Sequence, residues 1–332
     1  MTNISIIGTT AWGTTLALLS ANAGNITTLL ARNENQAQEL DSQRENKSLL
    51  PEAIFPDNLN VASISRANVS VSDIMIFAVP SVTIRENLHL VASTISDSSI
   101  IVSATKGIEV NTGKRMTQVI TDILPNREVG VLSGPNLASE IAKGKPASAT
   151  VAFKDIQISR LVQDTLGSDR FRVYSGSDVT GVELGGALKN IIAIGAGFID
   201  KVGLGNNAKA AFITRGLHEI TRLGVSMGAE QMTFAGLTGM GDLITTCYSP
   251  LSRNYRLGQR LATGEGLQKA LENLGSTAEG VPTTRAAIRL SRELNVEMPI
   301  TETTNAVLDG ILNPKEAIPA LMKRAPQPES LI

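Results

Sequence analysis

Aromatic side chains are scarce in this 332-residue chain: one Trp, three Tyr and seven Phe, or 3% of the residues. Single-stranded nucleic acid is held largely by stacking bases on such rings, so that mode of binding is poorly supplied. Neither sign of charge is in excess, since 30 Lys and Arg face 31 Asp and Glu for a net charge of −1. No global field draws the chain to nucleic acid or to an anionic membrane, and any anion it binds must be held locally. The single cysteine, Cys247, excludes an internal disulfide framework and a Cys-rich metal site, and suits a reducing compartment. With only His89 and His218 beside it, no metal centre is expected. The chain enters Ile4-Ser5-Ile6-Ile7 without a basic leader, and no uninterrupted apolar run approaches the roughly 18 residues that span a bilayer. A cytoplasmic protein without membrane or nucleic-acid partners is expected, and a homodimer is left open.

Present instead are 42% hydrophobic residues, mostly aliphatic, and 29 glycines, which signal many turns and close backbone approaches. The first half alternates short β-rich runs with helix-period segments. Strands are expected at Ile4 to Ile7, Ile26 to Leu30, Ile74 to Val79, Ile100 to Ala104, Val129 to Leu132 and Thr150 to Phe153, with a fading signal at Phe171 to Tyr174. Fully apolar runs such as Ile74-Met75-Ile76-Phe77-Ala78-Val79 suit parallel strands covered on both faces. From Val179 the pattern becomes long helical stretches broken by Gly and Pro. The fold class expected is α/β: a Rossmann-type doubly wound sheet over 1–178 and a mostly α-helical domain over 179–332, with a frayed tail from Ala325.

After the first strand comes Gly8-Thr9-Thr10-Ala11-Trp12-Gly13 and then a helix-forming run from Thr14. This is the G-x-G-x-x-G dinucleotide pattern in its strand-turn-helix setting, with Thr10 in place of the second glycine. Gly8 permits the tight turn, Gly13 permits close helix packing, and the helix N-terminus offers N–H groups to a pyrophosphate. The Cβ of Thr10 is expected to crowd the approach to the phosphates, and a plain glycine-rich turn is the competing reading. About 20 residues on, where an NAD site carries an acid for the ribose, stands Arg32. It either pairs with the 2′-phosphate of NADP or is a solvated surface arginine.

In the segment Gly181 to Gly197, Lys189 shares a helical face with Val182, Gly185, Gly186, Ile192, Ala193 and Ala196. Desolvation on such a face lowers a lysine pKa and suits it to proton transfer, and the adjacent glycines admit another element or a substrate. A lysine that snorkels past small neighbours is the alternative. Ser252-Arg253-Asn254 precedes a helical run from Tyr255 to Leu261, so Ser252 caps a helix whose free N–H groups, with Arg253, suit a phosphate; a plain N-cap is the other reading.

Taken in order, Gly8 to Gly13, Ala104-Thr105-Lys106-Gly107, Ser133 to Glu140, the Lys189 segment, Asn207 to Glu219, Gly239 to Leu243, Ser252-Arg253-Asn254, Glu279-Gly280 and Met298-Pro299-Ile300 make the chain resemble the bacterial NAD(P)-dependent glycerol-3-phosphate dehydrogenases along nearly its whole length. The resemblance implies reversible reduction of dihydroxyacetone phosphate to sn-glycerol 3-phosphate, a phospholipid precursor, with NADP or NAD as cofactor. It implies Lys189 as the proton donor, oriented by Asp242. It implies Lys106, Gly134, Asn136, Asn190, Ser252, Arg253 and Asn254 as substrate contacts. Gly8, Thr10, Ala11, Trp12, Gly13, Arg32, Lys106, Ala138, Arg253, Thr277 and Glu279 are implied as cofactor contacts. Asn136 stands where the family usually has Ser or Thr, and Thr277 where it commonly has Val. Another two-domain ketoacid reductase, or a cofactor-binding sensor without turnover, are the competing functions.

Overall fold

The computed structural model describes residues 1–275, 277–325 and 329; apart from Ala325 and Glu329, the tail expected to fray lies outside them. Contacts divide the chain into two units: 1–105 with 116–179, and 106–115 with 180 onward.

The first unit is an eight-stranded sheet in the order β3-β2-β1-β4-β5-β6-β7-β8. Its strands are β1 (Asn3–Ile7), β2 (Ile26–Ala31), β3 (Leu59–Ser63), β4 (Ile74–Phe77), β5 (Ile100–Ser103), β6 (Val129–Ser133), β7 (Ala147–Ala152) and β8 (Phe171–Gly176). Between them run α1 (Ala11–Asn22), α2 (Glu34–Gln43), α3 (Ile84–Val91), α4 (Met116–Ile123), α5 (Ala138–Ala142) and α6 (Ile156–Leu166). Alternate side chains of each strand serve opposite faces. Ile4, Ile6, Leu29 and Ile76 pack with Leu16 of α1 and Val162 of α6. Ile7, Leu30, Met75 and Phe77 pack with Leu88 of α3 and Val119 of α4.

Two features differ from the sequence expectation. β3 is an edge strand beside β2, with a mixed polar and half-exposed pattern that carries no two-sided apolar signal. The sheet is also not wholly parallel, because β6 and β7 pair antiparallel. Only the five-residue α5 lies between them. At 1.5 Å per residue it rises about 7.5 Å, too little to carry the chain back along a strand for a parallel return. The eleven-residue α6 does so, and β7 and β8 are parallel.

The second unit contains α7 (Val179–Val202), α8 (Gly205–Ser226), α9 (Asp242–Tyr248), α10 (Arg253–Ala262), α11 (Leu267–Leu274), α12 (Gly280–Glu293), α13 (Pro299–Leu308) and α14 (Pro314–Met322). By length and composition α7 is apolar enough to cross a membrane, but 94% of that apolar window is buried inside the protein. Leu188, Ile191 and Ile192 sit in one core with α8, α9 and α12, and Ile194 in a second with α10 and α11. The excursion 106–115 joins this unit although it lies in the sequence between β5 and α4. Ile108 enters the helical core, Arg115 pairs with the buried Glu183 of α7, and Arg289 of α12 donates to the Asn111 carbonyl. The unit boundary in sequence therefore differs from a single division near residue 178 by this ten-residue excursion.

Candidate active site

In the sheet unit, the turn after β1 places Gly8 at φ +112, in the region that favours glycine. A Cβ on Gly13 would lie 1.9 Å from the Gly8 carbonyl oxygen, so strand end and helix start meet backbone to backbone. Thr10 is the N-cap of α1: its hydroxyl accepts from the Gly13 N–H at 3.0 Å and donates to the Ala78 carbonyl at 2.8 Å. Thr10, expected to crowd the phosphate approach, has a capping role, with its hydroxyl drawn into the turn. Thr14 N–H bonds to the Thr10 carbonyl, and the N–H groups of Ala11 and Trp12 remain as first-turn donors without intrahelical acceptors. Among the described residues, the buried indole Nε1–H of Trp12 also has no partner. Thr15 bonds the carbonyls of both Ala11 and Ala138, which brings Ala138 to the same helix start. These donors and this close-packed turn fit a dinucleotide pyrophosphate.

β1 and β2 run in parallel with Ile7 opposite Leu30, so Arg32 lies just beyond the β2 end beside the Gly8 turn. Its side chain is exposed. Past β6, Gly134 is buried and half-buried Asn136 donates to the Ser148 carbonyl, while its buried Oδ1 has no partner among the described residues.

In the helical unit, Lys189 of α7 is 7% exposed and Asp242, the first residue of α9, 1%. The Lys189 ammonium donates to Asp242 Oδ1 and, at 2.6 Å, to Thr246 Oγ1. Thr246 lies one turn along α9 and donates in turn to the Asp242 carbonyl. The other Asp242 oxygen, Oδ2, accepts from Lys106 at 2.6 Å. Two of the three Lys189 N–H bonds are engaged in this way, leaving one for an incoming oxygen. Burial lowers the Lys189 pKa to about 8 from its ordinary 10.5, against the attraction of Asp242; the Lys106 charge adds to the lowering. The glycine expected to admit a neighbour does so: a Cβ on Gly185 would lie 2.6 Å from the Thr238 carbonyl oxygen.

Ser252 caps α10 by accepting from the Tyr255 N–H. The buried Asn254 accepts from the Gly280 N–H at 2.9 Å, so its carboxamide oxygen is engaged and its NH₂ is left as donor. Gly280 packs on the Asn190 carbonyl, and desolvation lowers the Arg253 pKa against the opposing charge of Glu279. Thr277 is exposed.

The fold thus gathers Gly8 to Gly13 with Ala138 in one unit, and Lys106, Lys189 and Asp242 in the other. Four supporting residues escaped sequence reasoning. Thr246 stands four residues after Asp242, a helical spacing readable once Asp242 is taken as a helix start. Asn46 holds the glycine turn through the Thr9 carbonyl and Thr14 hydroxyl, from 32 and more residues away, with no local signal. The Arg115–Glu183 pair anchors the Lys106 excursion and likewise joins residues far apart. Cys247 is fully buried, and burial pushes its thiol up to about 12, as befits a small core residue.

The family model described as NAD-dependent glycerol-3-phosphate dehydrogenase N-terminus matches residues 3–159, and that described as the C-terminus matches 178–319. A relative from Dehalococcoides mccartyi (strain CBDB1), named glycerol-3-phosphate dehydrogenase [NAD(P)+], is 46% identical over 97% of this chain and 91% of its own. One of the same name from Corynebacterium glutamicum (strain R) is 44% identical over 99% of this chain and 100% of its own. The crystal structure of glycerol-3-phosphate dehydrogenase from Coxiella burnetii superposes with a TM-score of 0.93 at 34% identity, covering 97% of this chain and 99% of that one. With both halves matched and full-length relatives at 46% and 44% identity, the chain belongs to the NAD(P)-dependent glycerol-3-phosphate dehydrogenase family.

Proposed function

We propose that Lys189 is the general acid in reduction of dihydroxyacetone phosphate and the general base in oxidation of sn-glycerol 3-phosphate. The observation that carries this reading is the buried Lys189 ammonium with two N–H bonds held by Asp242 and Thr246. When bound, the reduced nicotinamide supplies the hydride that reaches the carbonyl carbon. Negative charge then grows on the carbonyl oxygen, and the third N–H of Lys189 donates its proton there to give the alcohol. Asp242 orients Lys189 and keeps it charged, while Lys106, on the other carboxylate oxygen, adds positive charge and makes Lys189 a readier donor. Ser252, Arg253 and Asn254 hold the substrate phosphate by capped-helix N–H groups, guanidinium and carboxamide NH₂. Gly134, Asn136 and Asn190 complete the substrate contacts.

For the cofactor, the Ala11 and Trp12 N–H groups hold the pyrophosphate, with Gly8, Thr10 and Gly13 shaping the turn. Lys106, Ala138, Arg253, Thr277 and Glu279 make further contacts, and Arg32 takes the 2′-phosphate of NADP. The product supplies the glycerol backbone of phospholipids, in the cytoplasm, where the lone thiol stays reduced.

The test is oxidation of NADPH and NADH by the purified protein with dihydroxyacetone phosphate or a panel of 2-keto acids. Turnover only with the phosphorylated ketone, lost in Lys189→Ala with cofactor affinity retained, is expected. Equal activity on 2-keto acids, or an active Lys189→Ala, would sink the reading.

A further inference from the structure

Two of the three tyrosines in this aromatic-poor chain flank one buried lysine, away from Lys189. Lys209, in the first turns of α8, is 3% exposed. Its Nζ donates to Asp200 Oδ2 of α7 at 2.5 Å, lies 3.8 Å from the centre of the Tyr248 ring and 5.3 Å from that of Tyr255. The Tyr255 hydroxyl donates to the same Asp200 oxygen at 2.6 Å. Burial and the neighbouring carboxylate push the phenol up to about 12, so it remains a donor throughout the working pH range.

The positions of the two rings give this cluster its meaning. Tyr248 is the last residue of α9, the helix that carries Asp242 and Thr246; Tyr255 is the third residue of α10, next to Arg253 and Asn254. The turn 249–252 is therefore gripped at both ends by one lysine and one carboxylate. α10 is held from a second side as well: a Cβ on Gly197 would lie 1.9 Å from the Tyr255 carbonyl oxygen, and one on Gly258 1.8 Å from that of Ile194. Main chains this close leave α10 little room to slide along α7, so the Tyr255 hydroxyl and the Lys209 ammonium set the remaining freedom of its first turn. A buried lysine with a single carboxylate partner is costly to desolvate, and an apolar pair would fill the space more cheaply if stability alone were served.

We propose that Asp200, Lys209, Tyr248 and Tyr255 are positioning residues for the substrate phosphate: they hold the turn between α9 and α10 so that Ser252, Arg253 and Asn254 meet the phosphate together. This rests on the assignment of those three residues to the phosphate. None of the four touches the reacting atoms in this scheme, so their effect falls on binding of the phosphorylated substrate and spares the Lys189 proton transfer.

The experiment is steady-state kinetics of the full-length protein with dihydroxyacetone phosphate, carrying Tyr255→Phe, Lys209→Met and Lys209→Arg. Tyr255→Phe removes one hydrogen bond to a charged group and keeps the ring, and is expected to raise KM for dihydroxyacetone phosphate about three- to tenfold. Its kcat should stay within about twofold of wild type, and its KM for the nicotinamide cofactor should rise less than that for dihydroxyacetone phosphate, because of the three positioned residues only Arg253 is also assigned to the cofactor. Lys209→Met should act in the same direction, and Lys209→Arg, which keeps the cation over the rings, should restore most of the loss. If Lys209→Met does not fold, Tyr255→Phe decides alone. An unchanged substrate KM in Tyr255→Phe, an equal rise in cofactor KM, or a fall confined to kcat overturns the positioning role while leaving the reaction assignment intact. Absence of any dihydroxyacetone-phosphate-dependent turnover in the wild type overturns both.

Discussion

At the Gly8–Gly13 turn of the sheet unit the polar contacts are made by neutral groups: the Thr10 hydroxyl, the Asn46 carboxamide and backbone N–H and C=O. Around Lys189 in the helical unit they are made by buried charge, with two lysines on one carboxylate and a third lysine on another a few turns away. Under the proposed function, the difference follows from what each region has to do. A pyrophosphate brings its own charge and does not change it, so helix-end N–H groups suffice. A carbonyl oxygen that becomes an alkoxide needs a proton at the moment charge appears, and only a titratable group supplies one. Loss of a charge in the helical unit should therefore cost far more than loss of a cap in the sheet unit.

The largest effect that would break this contrast is on Lys189→Ala, expected to lower kcat by roughly 10² to 10⁴ with near-normal cofactor KM. Next comes the pH profile of the wild type. Since the Lys189 pKa is lowered to about 8, the ammonium that the proposed mechanism uses for reduction is lost above that pH and the amine it uses for oxidation is gained. Reduction should fall about tenfold per pH unit beyond the break, oxidation should level off there, and Lys106→Met should move the break upward by removing a like charge. Rates measured in both directions from about pH 6 to 10 check this; a shared break that ignores Lys106 would count against the coupling.

Arg32→Ala is expected to weaken NADPH roughly tenfold relative to NADH, the size of one charge-assisted hydrogen bond, in a comparison of KM values. The smallest effect falls on Thr10→Ala, which removes a neutral N-cap and should cost about 1 kcal/mol in denaturant unfolding. Its kcat should be unchanged. A large fall in kcat would show that the turn takes part in the chemistry and would erase the contrast between the units.

Legibility in the sequence followed the distance over which each contact acts. The glycine turn from Gly8 to Gly13 and the small-residue face around Lys189 each lie within one short stretch, so both were readable from spacing alone, whereas Thr10 was read as crowding and its cap on Gly13 came from the structure. Asp242 entered only through family resemblance, because its partner Lys189 is 53 residues away and Lys106 is 136. Nothing local marks Lys209 as buried: it sits in a polar stretch, Gly205-Asn206-Asn207-Ala208-Lys209, and its partners come from α7, α9 and α10. β3 was lost for the opposite reason, since a half-exposed edge strand needs no apolar run. The antiparallel β7 depended on the shortness of α5, which the sequence pattern does not display.

By itself, the sequence determined that a glycine turn joins a first strand to a first helix, that strands give way to helices near residue 179, and that one lysine lies on a face of small residues. Each of these is a local periodicity or a steric allowance of single residues. The tertiary structure alone decided which charges meet: that the excursion 106–115 brings Lys106 to Asp242, that Thr246 accepts a hydrogen bond from Lys189, and that two of the three tyrosines close on Lys209. Buried charges must find partners wherever the packing of helices brings them, and that packing is a property of the whole unit.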